Sequence, residues 1–379
     1  MKKVLDLFKI DIDPNRIYGL DILRACAIMF VVIGHGSFLL PNKLGRLCNL
    51  LDFDGVSIFF VLSGFLIGGI LIKTIEKNGF TGHILKDFWI RRWFRTLPNY
   101  FLILTILCVL HFLFDSKFVF SNVIQYFFFS QNLFYKTPDF FLESWSLSIE
   151  EWFYLVFPTL VILASSSKKN FKRSILLVSI FIILSVTAFR YYRYETLIIH
   201  NTSEWDSVFR KQVITRLDSI MFGVVGAYIN YYYRDLWPRF KKQLLIFGLI
   251  LFIVSKFILP RIFDLSGLYF CVFSFTLNSV ATLCLLPYLS NLKSGKGLLR
   301  NVITYISLIS YSMYLLNLSI IQDWILRNIP WKDFLYNDNL IYAAKYGTYW
   351  VLVVGLSILI YKYFEIPMTA LRERFKYKK

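Results

Sequence analysis

The chain has 379 residues, of which 57% are hydrophobic and 19% aromatic, while only 17% are charged. This composition is too apolar for a soluble protein of that length, and several apolar runs approach the roughly 20 residues that cross a bilayer. The net charge of +18 is explained better by membrane topology than by nucleic-acid binding. The sequence therefore predicts an all-α polytopic membrane protein that binds membrane lipids and no nucleic acid.

The apolar runs predict about ten transmembrane helices in a single domain over 1–379, with no appended soluble domain. Segment 118–134 is apolar but short and interrupted by polar residues, which makes it a candidate re-entrant segment. The ten predicted spans are 20–40, 52–73, 98–115, 142–164, 172–190, 213–232, 242–259, 267–289, 300–325 and 343–364.

Positive charge predicts the orientation of these spans. With the N-terminus in the cytoplasm, the inner segments carry 27 of the 42 Lys and Arg residues. This asymmetry follows the positive-inside rule, so we expect a multi-pass protein of the cytoplasmic (inner) membrane with both termini inside. The five cysteines are scattered without CxxC or other metal-ligand spacing, and no metal site is expected.

The first span carries two ionisable side chains, which are costly at membrane depth. Arg24 lies near its start and His35, flanked by Gly34 and Gly36, lies near its end. The eleven-residue separation places both on one helix face, roughly 16 Å apart. Arg24 either pairs with Asp21 or faces a cavity. His35 either bonds a neighbouring helix or faces a substrate that its small neighbours allow to approach.

The second span contains Ser63 among glycines at a spacing that favours close helix packing. The serine hydroxyl is a candidate for a cavity wall, although packing alone explains it equally well.

The next segment, "HILKDFWIRRWFRTLP", combines aromatic residues at helical spacing with Arg91, Arg92 and Arg95. It has the character of a helix at the inner membrane interface. The arginines either anchor that interface or bind the phosphates of a cytoplasmic ligand, since guanidinium groups bind phosphate in a bidentate manner.

The fourth span opens with "ESWSLSIEEWFYLVFP", in which Glu150 lies about two turns from the outer end. This carboxylate either bonds an arginine such as Arg216 or shares a cavity with His35. In the second case it would set the tautomer of the imidazole and raise its basicity. Arg216 and Asp218 are a further candidate ion pair.

These pieces together resemble the acyltransferase-3 family of membrane acyltransferases. The matching stretches follow the family's order over nearly the whole chain. They are "RIYGLDILRACAIMFVVIGHGSF", "GVSIFFVLSGFLI", "RRWFRTLPNY", "ESWSLSIEEWFYLVFP", "RLDSIMFG", "ISYSMYLL" and "YFEIP".

The resemblance implies about ten helices, a cytoplasmic acyl-CoA donor and an extracytoplasmic acceptor. It places the essential histidine on His35, the first-helix arginine on Arg24 and the RxxR pair on Arg92 and Arg95. It places the WSLxxE motif on Trp145, Ser146, Leu147 and Glu150. One position departs from it, because many members have histidine where Asn317 stands. Some members also carry an SGNH esterase-like domain, which we do not expect here.

We therefore expect a membrane O-acyltransferase that moves an acetyl group from acetyl-CoA to a hydroxyl of a carbohydrate or glycolipid. His35 is the expected general base and Glu150 its orienting residue. Arg24, Arg91, Arg92 and Arg95 are the expected donor-binding residues, and Ser63, Trp145, Ser146 and Arg216 the expected substrate-binding residues.

The outer loops are rich in Tyr and Trp beside Asn, Asp and Glu, as in "YYRYETLIIHNTSEW". Such residues suit sugar rings, but an interfacial aromatic belt would produce many of them too. The alternative to an enzyme is a glycan or lipid transporter or flippase without acyl chemistry.

Overall fold

A computed structural model describes residues 13–14, 16–79, 82–165 and 170–375 of the chain. The terminal segments predicted to be cytoplasmic lie partly outside these residues. Within them the fold is helical and contains no strand, which confirms the all-α class. We number the ten long helices of the described chain in order. They are α1 Tyr18–Gly36, α2 Gly55–Asn78, α3 Gly82–Phe114, α4 Ser144–Ala164, α5 Phe171–Thr196, α6 Leu217–Tyr232, α7 Lys241–Ile253, α8 Ser274–Leu289, α9 Gly297–Leu316 and α10 Asp338–Ile360.

Four of these helices continue in wider π-helical turns. The extensions are Val254–Ile258 after α7, Tyr269–Phe273 before α8, Asn317–Leu326 after α9 and Tyr361–Glu365 after α10. With them, nine helices of the described residues are long and apolar enough to cross a membrane. The remaining predicted span, 213–232, contains α6, whose 16 residues fall short of a full crossing.

One region differs from the expectation, and the re-entrant character of a second region, 118–134, stays a prediction. The arginine-rich segment is not a separate interfacial helix, because α3 runs unbroken from Gly82 to Phe114 with Pro98 inside it. Segment 118–134 forms only a short 3₁₀ turn and the four-residue helix Ile124–Phe127. It folds against α4 through buried amides, since Gln131 donates to Ser148 Oγ over 2.6 Å and Asn132 donates to the Trp145 carbonyl over 2.9 Å.

The centre of the bundle is built on the close crossing of α2 and α6. Gly64 of α2 lies against the backbone of Ile220, and Gly223 of α6 lies against the backbone of Val61. Side chains at these two positions would hold the helices apart, so the glycines permit the contact. Helix α6 thereby brings its buried charged residues to the core of the protein.

This crossing predicts different effects of the same substitution at two positions of α2. In Gly64→Ala the new methyl group would clash with the Ile220 carbonyl, and we expect a loss of about 1–3 kcal/mol of stability. In the control Gly69→Ala the methyl group would meet Ala227 at 3.9 Å, an ordinary contact. Thermal unfolding in detergent, followed by tryptophan fluorescence, should show a lower midpoint for Gly64→Ala only. Equal midpoints would contradict the close crossing.

Candidate functional site

Two cavities inside the bundle collect most of the predicted site residues. The first, which we call the arginine cavity, has a volume of about 140 Å³ and is lined by Arg24, Arg92, Arg95, Glu150 and Glu365 among others. The second, which we call the histidine cavity, has a volume of about 890 Å³. Its polar lining includes His35, Asp52, Asp54, Glu143, Asp206, Arg210, Lys211, Lys256 and Asn278. Val56 and Tyr314 line both cavities and form part of the wall between them.

Helices α1 and α3 supply the arginines of the arginine cavity. The carboxylate of Asp21 does not hold Arg24 closely, because it binds Arg16 and accepts a hydrogen bond from Ser307 Oγ at 2.8 Å. The Arg24 guanidinium lies 3.9 Å from Asp21 and 3.5 Å from Ser307 Oγ. Arg24 therefore faces the cavity rather than forming the close Asp21 pair that was one of its two predicted roles.

Only two of the three α3 arginines reach this cavity. Arg92 is buried, and its Nε has no hydrogen-bond partner among the described residues. Arg95 lies one turn further along the same face. Arg91 is exposed and is not part of the cavity lining, because one residue along a helix turns the side chain by about 100°.

The carboxylates of the arginine cavity are held by neutral donors. Glu150 accepts a hydrogen bond from the Tyr154 hydroxyl at 3.1 Å, and that hydroxyl lies 3.3 Å from Ser63 Oγ. Glu365 accepts from Asn99 Nδ2 at 2.8 Å and from Ser312 Oγ at 3.0 Å. These hydrogen bonds leave the carboxylates free to balance the arginine charges across the cavity.

His35 and Glu150 line different cavities, which differs from the expected pairing. His35 is the next-to-last residue of α1, whereas Glu150 lies six residues, or about 9 Å, into α4. The ring hydrogen bond of His35 is made with Asn317, whose Oδ1 lies 2.6 Å from Nδ1. Asn317 is thus the orienting contact that the sequence could not identify, and the catalytic role of Glu150 stays a prediction.

The small residues beside His35 do allow other groups to approach it. Gly34 lies against the carboxylate of Asp52, and Gly36 lies against the ring of Tyr349. The Tyr349 hydroxyl donates to the Val32 carbonyl over 3.0 Å, and Gln322 donates to the His35 carbonyl over 3.0 Å. The end of α1 is therefore fixed by side chains from α9 and α10.

Arg216 is fully buried behind the histidine cavity rather than in its lining. It donates to Ser57 Oγ at 2.6 Å and lies 3.8 Å from Asp54, which does line the cavity. The expected pairing of Arg216 with Asp218 or with Glu150 is wrong. Asp218 binds Arg190 of α5 at 2.6 Å, because residues two apart on a helix point away from each other.

The three residues of the WSLxxE motif that precede Glu150 are divided between the cavities, and Leu147 lines the arginine cavity. Trp145 lines the histidine cavity and packs under the Arg210 guanidinium, 5.2 Å from the ring centre. Ser146 lines the arginine cavity, and its hydroxyl donates to the Tyr314 hydroxyl over 2.7 Å. The start of α4 is therefore part of the wall between the cavities.

The sequence reasoning missed most of the charged lining of the histidine cavity. Asp54 caps α2, because its carboxylate accepts a hydrogen bond from the Ser57 amide at 3.1 Å. An aspartate directly before a helix is a common N-cap, so the sequence could have indicated this role. Arg210 and Lys211 bind Asp206 at 2.8 and 2.6 Å. Among the described residues, His, Cys, Asp and Glu form no group that could hold a metal ion.

A sequence profile for an acyltransferase domain matches residues 17–362 of this chain. The chain is 27% identical to a Staphylococcus aureus (strain COL) protein named Putative O-acetyltransferase SACOL0978, over 92% of this chain and 56% of that one. It is 33% identical to the Peptidoglycan O-acetyltransferase OatA of Listeria monocytogenes serovar 1/2a, over 40% of this chain and 25% of that one. The chain thus spans about half or less of the length of these relatives. No solved structure matches it.

The ion pairs of Asp206 predict a pH-dependent contribution to stability. Asp206 begins the short π-helical segment Asp206–Arg210 between α5 and α6. Burial alone would raise the pKa of its carboxyl, but Arg210 and Lys211 outweigh burial and hold the pKa below its ordinary value. A lowered pKa stabilises the fold above the ordinary value of about 4, and the contribution is lost as the pH falls through the pKa of the folded state.

We therefore expect Asp206→Asn to cost about 0.5–1 kcal/mol at pH 7 and progressively less below about pH 4. The control is Asp264→Asn, which changes an exposed carboxylate of another loop. Unfolding midpoints measured across that pH range should converge for Asp206→Asn and wild type. A gap that persists at low pH would contradict the ion pairs.

Proposed function

This chain belongs to the acyltransferase family, and we propose that it is a membrane O-acetyltransferase that uses acetyl-CoA to acetylate an extracytoplasmic carbohydrate hydroxyl. The observation that carries the proposal is the meeting of two chemically different cavities at one wall. An arginine-lined cavity suits an anionic donor, and a larger cavity with mixed charge and aromatic walls suits a polyhydroxylated acceptor. His35 lines the second cavity near that wall.

The donor is proposed to bind through the arginine cavity. Coenzyme A carries phosphates at one end and its thioester at the end of a long, thin arm. Arg92 and Arg95, which both line this cavity, would bind the phosphates from the cytoplasmic side. The arm would pass Arg24 and bring the acetyl carbonyl to the wall formed by Val56 and Tyr314.

The acceptor is proposed to bind in the histidine cavity from the outer side. Its carboxylates can accept hydrogen bonds from sugar hydroxyls, and its aromatic walls can pack against sugar C–H faces. The four acidic and three basic side chains among its lining residues offset one another, which suits a glycan better than a highly charged ligand. The names of the relatives point to peptidoglycan as the first acceptor to test.

The transfer itself requires a base at the acceptor hydroxyl. The acceptor oxygen would attack the thioester carbon while His35 takes its proton, the bond from carbon to sulfur would break, and the proton would pass on to the coenzyme A thiolate. The products are the acetyl ester and free coenzyme A. Holding donor and acceptor on either side of one wall would supply the orientation that the reaction needs.

The role of His35 predicts a loss of turnover without a loss of donor binding. We expect His35→Ala to reduce acetyl transfer by about 10² or more, because a positioned general base contributes at least that factor. The matched control is His200→Ala, which changes an exposed histidine of an outer loop.

The measurement follows the release of coenzyme A and the mass of the acceptor in reconstituted membranes supplied with peptidoglycan fragments. The gain of one acetyl mass should require an intact His35. Near-normal transfer by His35→Ala would exclude this mechanism. Transfer to a lipid or peptide instead would exclude the carbohydrate acceptor only.

The donor site predicts a different response from neighbouring arginines of α3. Arg92→Ala and Arg95→Ala should each raise the KM for acetyl-CoA about tenfold or more, because each removes a hydrogen bond to a charged ligand. Arg91→Ala is the control on the same turn, since Arg91 is exposed outside the cavity. An equal effect of all three would indicate general attraction by positive charge rather than a site.

A further inference from the structure

Asn317 occupies a fully buried position at the point where α9 changes from α-helical to π-helical turns. Its amide nitrogen donates to the Met313 carbonyl over 3.0 Å and to the Tyr314 carbonyl over 2.7 Å. Its amide oxygen lies 2.6 Å from Nδ1 of His35. The side chain therefore has each of its polar atoms engaged.

The two carbonyl contacts decide which way the amide faces. An amide nitrogen has two hydrogens to donate, whereas an amide oxygen can only accept. If the Asn317 amide were turned over, its oxygen would face two carbonyl oxygens with no hydrogen between them. The oxygen must therefore face His35, and the ring nitrogen beside it must carry a hydrogen.

We propose that Asn317 is a positioning residue that fixes neutral His35 as its Nδ1–H tautomer and leaves Nε2 unprotonated for the histidine cavity. Nε2 is then the atom that can take the proton of the acceptor hydroxyl. The tautomer follows from the hydrogen bonds alone, whereas its consequence for catalysis rests on the proposed function.

Glu143 holds Asn317 in this orientation from the neighbouring helix. The carboxylate of Glu143 accepts from the amides of Leu318 and Ser319 at 2.9 and 2.8 Å, and it also binds the Ser319 hydroxyl. In a regular α-helix the Leu318 amide would bond the Tyr314 carbonyl. Because Glu143 receives that amide, the Tyr314 carbonyl can accept the side chain of Asn317. The change to wider turns is thus what aims the amide oxygen at His35.

Other titratable groups share the space around the ring, but none of them is its hydrogen-bond partner. They are Asp52, Asp54, Glu143, Asp206, Arg210, Lys211, Lys256, Tyr269 and Tyr314. The carboxylates and cations among them act on the ring without a hydrogen bond to it, whereas the 2.6 Å contact with the Asn317 oxygen requires a hydrogen on Nδ1 itself. The assignment therefore depends on the single contact with Asn317.

The test reads the tautomer directly. The chain would be labelled with ¹⁵N-histidine, placed in lipid nanodiscs and studied by ¹⁵N NMR at a pH where His35 is neutral. The His35 signals would be assigned as those missing from the spectrum of His35→Ala. We expect a protonated Nδ1 and an unprotonated Nε2. A wild-type His35 protonated on Nε2 would overturn the proposal, and this result does not depend on any Asn317 variant folding.

Asn317→Leu removes the acceptor of the Nδ1–H hydrogen bond, so the population of the Nε2–H tautomer should increase. We expect kcat to fall about 10²-fold and the KM for acetyl-CoA to stay unchanged. Asn317→Asp in its protonated form retains an oxygen acceptor for Nδ1 and one hydrogen for the Met313 and Tyr314 carbonyls, so it should keep the Nδ1–H tautomer and more of the activity. Asn328→Leu is the control, because this exposed asparagine just after the same helix donates to the Trp324 carbonyl over 2.8 Å.

An unchanged tautomer in Asn317→Leu would overturn the proposal. A changed tautomer with unchanged kcat would instead refute His35 as the base and leave the tautomer assignment standing.

Discussion

The cost of placing charge inside an apolar bundle governs the arrangement of this protein. A charged side chain at membrane depth is tolerated when it is paired or faces a cavity. Arg190 and Asp218 show the first solution, since their side chains are fully buried and lie 2.6 Å apart. Arg24 and Arg92 show the second solution, because both face the arginine cavity. The paired charges join α5 to α6, and the cavity-facing arginines form the proposed anion site.

The wall between the cavities has a physical purpose in a membrane enzyme. A continuous aqueous path would let water reach the thioester and let ions cross the bilayer. Tyr314 closes the path by hydrogen bonds to Ser146 and to the Glu143 carbonyl at 2.7 and 3.1 Å, and Phe60 packs edge-on against Trp145 nearby. In the proposed reaction a thin acyl arm would cross this barrier where a sugar ring would not, and the transfer would take place at the wall.

The sequence predicts the helical class and most of the spans because hydropathy over about 20 residues is a local property. It also predicts one donor site for Arg24, Arg91, Arg92 and Arg95, of which all but Arg91 line one cavity. It fails where the partner is distant in the chain. Asn317 is 282 residues from His35, and Arg190 is 28 residues from Asp218. The periodicity of hydrophobic residues does not predict such contacts, because they depend on how the helices cross in the folded bundle. The expected cavity shared by Glu150 and His35 was wrong for a related reason. The direction of a helix gives the approximate depth of a side chain in the membrane, but it does not give the neighbouring helix that the side chain faces.

The two cavities also bear on the choice between an enzyme and a transporter. A transporter presents one binding site to alternate sides of the membrane, so both routes must accept the same ligand. Here the arginine cavity is small and lined by guanidinium groups, whereas the histidine cavity is much larger and lined by offsetting charges and aromatic rings. No single ligand suits both linings. Two different linings that share one wall, with His35 in one of them, therefore favour the proposed group transfer over transport.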